Sequence, residues 1–251
     1  MSRYIKSKAL VLRSRPLGEA DRLITFLSWD WGKFTAVARG ARKIKSKLAS
    51  GVDLFTYGSY QFYRGRGLAI VTGVEVKTHF ISLRQDPFLY LYGLYLTELT
   101  DRLIPESGLC PEVCSLLLEG WELLPEAVDL LVLIRAFELK LLQAAGYSPH
   151  FGGCLHCGAP QATVFSVSQG GLLCPDCTGK QGVAKGFPLQ PGTVALAKTL
   201  LKVPLKQVRV IRSRPQQEQE LAGIIEAFLQ YHLQIGEINS LRYLKSLPAP
   251  R

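Results

Sequence analysis

The period of the apolar pattern changes once along this 251-residue chain, near Asp86, and no other feature constrains the fold as much. Before that point the period is two. Leu23, Thr25, Leu27 and Trp29 alternate with Ile24, Phe26 and Ser28. Asp30-Trp31-Gly32 follows as a turn, and Phe34, Ala36 and Ala38 then alternate with Lys33, Thr35, Val37 and Arg39. Such alternation across a short Gly-containing loop predicts a β-hairpin. A second hairpin is expected from Val52–Tyr63, through the turn Arg64-Gly65-Arg66-Gly67, to a return strand carrying Leu68, Ile70, Thr72, Val74 and Val76 on one face. With a strand near Tyr4–Leu12 this makes about five closely connected antiparallel strands with no long helix between them. That pattern predicts a small closed barrel such as an OB-fold.

After Asp86 the period becomes helical. Phe88, Leu91, Tyr92, Tyr95, Leu96, Leu99 and Leu103 share one helix face. Pro125 is read as opening a second helix that runs to Ala145 and stops at Gly146. Its apolar residues (Leu130–Ile134, Phe137, Leu139, Leu141, Leu142) lie nearly all round, which places it inside a bundle. Leu221, Ile224, Ile225, Phe228, Leu229 and Leu233 mark a late amphipathic helix. The expected fold class is therefore α+β and multidomain. A barrel spans residues 1–82, and a helical bundle domain spans 83–251 with an inserted cysteine element at about 150–180.

Charge divides the chain at the same place. Residues 1–80 hold 15 Lys and Arg against five Asp and Glu, which is the whole net charge of +10; the other 171 residues balance. A basic module beside a neutral one suggests two sets of partners, the first of them polyanionic. Arg39, Arg42, Lys43, Lys45 and Lys47 fall within nine residues between the two hairpins. At a barrel rim they would neutralise phosphates and release counterions. Arg64 and Arg66 add a basic turn beside Tyr57, Tyr60, Phe62 and Tyr63, whose rings would stack on unpaired bases or fill the barrel; Phe62 is expected inside. An anionic membrane is the rival partner for this surface, but no basic amphipathic helix accompanies it.

Cys154-x2-Cys157, 16 intervening residues, and Cys174-x2-Cys177 form the most specific motif. Four thiolates from two such knuckles can surround one structural Zn²⁺ and leave no open position for catalysis. Gly158 can take positive φ and turn backbone N–H groups toward the sulfurs. Buried or redox-active cysteines are the alternative, and His156 is a possible substitute ligand. Cys110 and Cys114 read as small buried apolar residues. No stretch approaches the ~20 apolar residues of a membrane span, and the apolar run Ala9–Leu12 is too short for a signal-peptide core, so a cytoplasmic protein is expected. No phosphate-binding loop, zinc-protease motif or nucleophile elbow is present, so no catalytic residue is assigned.

Several segments resemble the bacterial RecO family of recombination mediators: Leu17-Gly18-Glu19-Ala20-Asp21-Arg22-Leu23-Ile24, Ala38–Lys43, Phe62–Gly67, and Leu141–Tyr147. Cys154-x2-Cys-Gly and Gly170-Gly171-Leu172-Leu173-Cys174 are similar to its zinc-bearing branch. The likeness covers about residues 1–180. It implies an OB-fold, a helical domain and a non-enzymatic role: binding single- and double-stranded DNA and annealing complementary strands. It also implies work with RecR on strands coated by single-stranded DNA-binding protein, so that RecA can load in recombinational repair. Carried onto matching positions, it implies DNA contacts at Arg39, Arg42, Lys43, Arg64 and Arg66; Lys45 and Lys47 rest on charge alone. The alternatives are a zinc-containing RNA-binding OB-fold protein, a nucleic-acid enzyme such as a nuclease, and a protein scaffold.

Overall fold

The computed structural model describes residues 3–106, 108–178 and 186–246. The last two residues of the expected cysteine element, 179 and 180, lie outside this set. The chain forms two compact units, residues 1–125 and 126–251.

The first unit begins with five strands: β1 (Tyr4–Leu17), β2 (Asp21–Ser28), β3 (Gly32–Ala38), β4 (Tyr57–Tyr63) and β5 (Ala69–Thr78). They close into a barrel in the order β1-β2-β3-β5-β4. β1 serves both sides: residues 4–10 pair with β4 and residues 9–17 with β2. Only the β3–β5 contact is parallel, and it joins just Ala36 to Ala69 and Val37 to Ile70. This is the closed five-strand barrel of an OB-fold. Its core holds Ala9, Val11, Ile24, Phe26, Ala36, Tyr60 and Phe62. The Phe26 ring meets Tyr60 at 4.7 Å and Phe62 at 5.3 Å. Tyr60 satisfies its hydroxyl on the Gly51 carbonyl at 2.7 Å, and burial pushes its ionisation far above the usual tyrosine range.

Three helices complete this unit: α1 (Ile81–Gln85), α2 (Pro87–Leu103) and α3 (Pro111–Leu123). They explain why Ala9–Leu12 is continuously apolar. Ala9 and Val11 face the barrel core, while Leu10 and Leu12 are also buried, on the face that α2 and α3 cover. Asp86 caps α2 by accepting from the N–H groups of Phe88 (2.8 Å) and Leu89 (3.0 Å). Asp101 of α2 is buried and faces Arg13 of β1 and Lys33 of β3, with Lys33 Nζ 3.3 Å away. A buried carboxylate facing two cations fixes how the helix docks on the strands. Two expectations are corrected here. β4 starts at Tyr57, because residues 50–52 form a 3₁₀ turn and Phe55 takes a left-handed φ of 57°. That turn sends Phe55 into a cluster with Trp121, at 5.5 Å, where Gly93 of α2 leaves room for the ring. The segment Pro111–Leu123, read only for its cysteines, is a helix.

The second unit centres on α4 (Leu130–Ala144), buried almost all round. It starts at Leu130 and not at Pro125, which sits in a 3₁₀ turn; Asp129 caps it through the Val132 N–H at 3.2 Å. Gly146, at φ 84°, ends it as expected. Around α4 pack α6 (Pro191–Lys202), α7 (Leu205–Val208) and α8 (Pro215–Leu233); α9 (Asn239–Ser246) follows. Between α4 and α6 come β6 (Val164–Ser166), β7 (Gly171–Leu173), α5 (Pro175–Thr178) and β8 (Phe187–Pro188); the three strands form one sheet in the order β7-β6-β8. A helical bundle thus carries an inserted four-cysteine element. Among the described residues no helix is long and apolar enough to cross a membrane.

Candidate nucleic-acid interface and metal centre

Arg39, Arg42, Lys43, Lys45 and Lys47 are all exposed, and none forms an ion pair among the described residues. Local hydrogen bonds hold their loop. The Arg42 N–H donates to the Ala20 carbonyl at 2.9 Å and its Nη1 to Gly18 O at 2.6 Å. The Gly40 N–H donates to Asp21 Oδ1 at 2.8 Å, and Gly40 itself needs its φ of 65°. The cationic loop is thereby tied to the β1–β2 turn at one rim of the barrel. One of the five guanidinium donors of Arg42 holds that tie, so the residue both shapes the loop and adds charge to it.

Arg64 and Arg66 are exposed in the β4–β5 turn. The parallel register of β3 and β5 brings that turn in from the side of Lys33, whereas the cationic loop leaves from the other end of β3. The seven cations therefore form two groups at opposite ends of one seam and not a single patch. Near the Lys33 end lies a groove of about 480 Å³, lined by Trp31, Lys33, Phe34, Arg64 and Leu68 among others. Arg64 stands 5.9 Å from the Trp31 ring centroid, and Trp31 packs 5.3 Å from Phe34. Of the aromatic residues considered for base stacking, Tyr60 and Phe62 are fully buried in the core. Tyr57 and Tyr63 are half-buried. The half-buried rings facing this groove are Trp31 and Phe34. The alternation of Phe34 with Lys33 and Thr35 located it on a strand, but only the closing of β3 on β5 shows that it borders a groove. Lys33 is largely committed to Asp101.

The four cysteines of the second unit converge. The Sγ atoms of Cys154, Cys157, Cys174 and Cys177 all lie within 4.8 Å of one another, and Cys157 Sγ is 3.6 Å from Cys174 Sγ. Tetrahedral Zn–S bonds of ~2.3 Å place neighbouring sulfurs ~3.8 Å apart, so this donor set can hold such an ion. The knuckle backbone is built for thiolates. Gly158 takes a φ of 74°, and the Ala159 N–H donates to Cys157. Burial works to raise the Cys154 thiol, but N–H donors of Cys157, Cys174 and His156 outweigh it and bring it down to about 6. Hydrogen bonds with Cys174 and Cys157 push Cys177 up to about 12. His156 turns away and meets Gln169 Oε1 at 3.0 Å. Behind the cluster, Phe151 stacks on Phe165 at 5.3 Å, and His232 of α8 meets the Val167 carbonyl at 2.6 Å. The element is thus braced by the bundle through its own β6–β7 turn.

Cys110 and Cys114 lie in the first unit. Cys114 is buried as expected, whereas Cys110 is half-exposed at the start of α3. A hydrogen bond from the Cys114 thiol lowers the Cys110 thiol, against some burial and with help from Lys33.

Two family models divide the chain between them. "Recombination protein O N terminal" matches residues 1–80, and "Recombination protein O C terminal" matches residues 84–242. This chain belongs to the RecO family. The first RecO model ends where β5 has closed the barrel, and the second includes all four clustered cysteines. Among curated relatives, the DNA repair protein RecO of Alkaliphilus metalliredigens is 32% identical over 246 residues, which is 97% of this chain and 99% of that protein. The DNA repair protein RecO of Roseiflexus sp. is 36% identical over 235 residues, 92% of this chain and 82% of that protein. That of Syntrophomonas wolfei is 34% identical over 224 residues, 89% of each.

Proposed function

We propose that this chain is a non-enzymatic recombination mediator of DNA repair. The barrel, read as a nucleic-acid-binding domain over residues 1–82, grips the phosphates of single- and double-stranded DNA. Arg39, Arg42, Lys43, Lys45 and Lys47 act at one end of the β3–β5 seam, and Arg64 and Arg66 at the other. Holding two strands on such a surface lowers their mutual repulsion and favours the pairing of complementary bases. The neutral helical domain, over residues 83–251, receives protein partners. These are RecR and the single-stranded DNA-binding protein on coated strands, so that RecA can load. Cys154, Cys157, Cys174 and Cys177 hold one structural Zn²⁺ that supports this domain and performs no reaction. The site of action is the cytoplasm, on the nucleoid DNA.

The observation that carries this reading is the cationic loop: five exposed cations without carboxylate partners among the described residues, fastened to the rim of an OB-fold in a chain of the RecO family. A strand-annealing assay, with and without the coating protein and without nucleotide, tests it. Faster annealing of coated complementary strands is expected. Alanine at Arg42 and Lys43 together should slow it and flatten the salt dependence of single-strand binding by roughly 0.7 per lost contact. Annealing no faster than the uncatalysed rate overturns the reading, and a strong preference for matched RNA favours the RNA-binding alternative.

A further inference from the structure

Three apolar side chains lie in or just after the cationic loop, Ala41, Ile44 and Leu48, and they do not behave alike. Ala41 is buried and joins the barrel core. Leu48 packs partly against the same core. Ile44, midway between them, is 103% exposed, more than any other large apolar residue of the described chain. Single exposed apolar residues are common on protein surfaces and need no explanation by themselves. Here the surroundings give one. The loop enters and leaves through apolar plugs, so its middle is pinned outward. Consecutive turns stiffen it: the Lys43 N–H donates to Gly40 O at 3.1 Å, the Ser46 N–H to Lys43 O at 3.0 Å, and the Leu48 N–H to Ser46 Oγ at 3.3 Å. Ile44 therefore stands at a braced tip, with Lys43 and Lys45 on either side and Arg42 and Lys47 beyond them, all exposed.

A β-branched side chain held in water among like charges gains nothing from its own protein. It becomes buried only if the polyanion drawn to those cations also offers an apolar face. Nucleic acid does so through its bases. In a duplex those faces are closed by stacking, and wedging one step open costs a few kcal/mol. In an unpaired strand they are already accessible. We propose that Ile44 is a base-contacting wedge for single-stranded nucleic acid, packing against an unpaired base while Lys43 and Lys45 hold the flanking phosphates. This rests on the nucleic-acid reading of the loop and adds what charge alone does not provide, a preference for unpaired strands.

Salt separates the two contributions, because only phosphate contacts release counterions. The full chain is titrated onto a fluorescent oligothymidine and onto a duplex of equal length at several salt concentrations, as wild type, Ile44→Ala and Lys43→Ala. Ile44 is exposed, so its replacement leaves the fold intact. Ile44→Ala should weaken single-strand binding roughly tenfold at every salt concentration with the slope unchanged, and duplex binding by less than about twofold. Lys43→Ala should instead reduce the slope on single strands by about 0.7. In a strand carrying 2-aminopurine, wild-type protein should change the probe's fluorescence on binding, and Ile44→Ala should lose most of that change. Single-strand affinity of Ile44→Ala within about twofold of wild type, with Lys43→Ala flattening the slope, overturns the wedge but not the cationic loop. Neither variant having an effect overturns both. An Ile44→Ala protein that keeps its DNA affinity but loses a protein partner would assign the tip to that partner and overturn the wedge.

Discussion

The cationic loop of the barrel and the cysteine element of the bundle are both irregular segments, yet opposite physics holds them in place. The loop is fixed from behind, by Arg42 on the Gly18 carbonyl, Gly40 on Asp21, and Ala41 in the core, so that its charges remain in solvent. The cysteine element is fixed from within, by four sulfurs turned toward a common centre. A structural site is recognised by side chains that satisfy one another, and a recognition surface by side chains the protein leaves unsatisfied. The same contrast separates Arg13 and Lys33, which share the buried carboxylate of Asp101, from Lys43, Lys45 and Lys47, which pair with no carboxylate among the described residues.

The largest effect should come from breaking the inward-facing set. Cys174→Ser should remove zinc from purified protein and leave amides of residues 164–173 open to hydrogen exchange, since four-cysteine sites contribute folding energy directly. The salt slope of DNA binding should not change; a changed slope would mean that the two regions are not separate in function. Next, Phe26→Ala removes the ring around which the barrel core is built. It should cost ~3–5 kcal/mol in urea unfolding, because the cavity cannot collapse within a closed sheet. A loss under ~1 kcal/mol would show the barrel core to be loosely packed. A smaller effect is expected at the other end of the seam. Arg64→Ala with Arg66→Ala should lower the single-strand salt slope by roughly 1.4 while leaving stability unchanged. No change would confine the interface to residues 39–47. The mildest probe is alkylation of the zinc-loaded protein near neutral pH. Cys110, whose thiol is lowered by Cys114 and Lys33, should be labelled first, while buried Cys114 and the four clustered cysteines resist. Early labelling of Cys157 would contradict a closed metal site.

Local pattern carried much of this architecture. Alternation located β2 and β3, and the two Cys-x2-Cys pairs located the sulfur cluster, because each signal arises within a few neighbouring residues. For β5 it found the strand but not its face, since an irregularity in the β4–β5 register between Gln61 and Phe62 puts Val71 in the core with Ala69 and Val74 against it and leaves Leu68 and Thr72 exposed. The hidden features depend on distant partners. β1 continues to Leu17 through Arg13, Arg15 and Pro16, a polar stretch that pairs with β2 and would not announce a strand by itself. α3 opens at Pro111 after a Gly-containing approach, and its apolar face becomes clear only where Trp121 meets Phe55 and Phe80. That Arg64 and Arg39 stand at opposite ends of the β3–β5 seam is invisible in the sequence, because the strands are legible there but the closure of the barrel is not. The parallel β3–β5 contact rests on two residue pairs 33 positions apart and leaves no trace in either segment. Phe62 is expected inside from its sequence and is buried there, and Tyr60, two residues earlier on the same face of β4, goes in with it.

The central claim is that charge on one braced loop, and not the metal-bearing unit, drives the grip on DNA. Its most direct test is the salt dependence of single-strand affinity when Arg39, Arg42, Lys43, Lys45 and Lys47 are all replaced by Ala. The account predicts that the slope of log affinity against log salt falls by up to roughly 3.5. A slope equal to that of the wild type, in a protein that still folds, would contradict it.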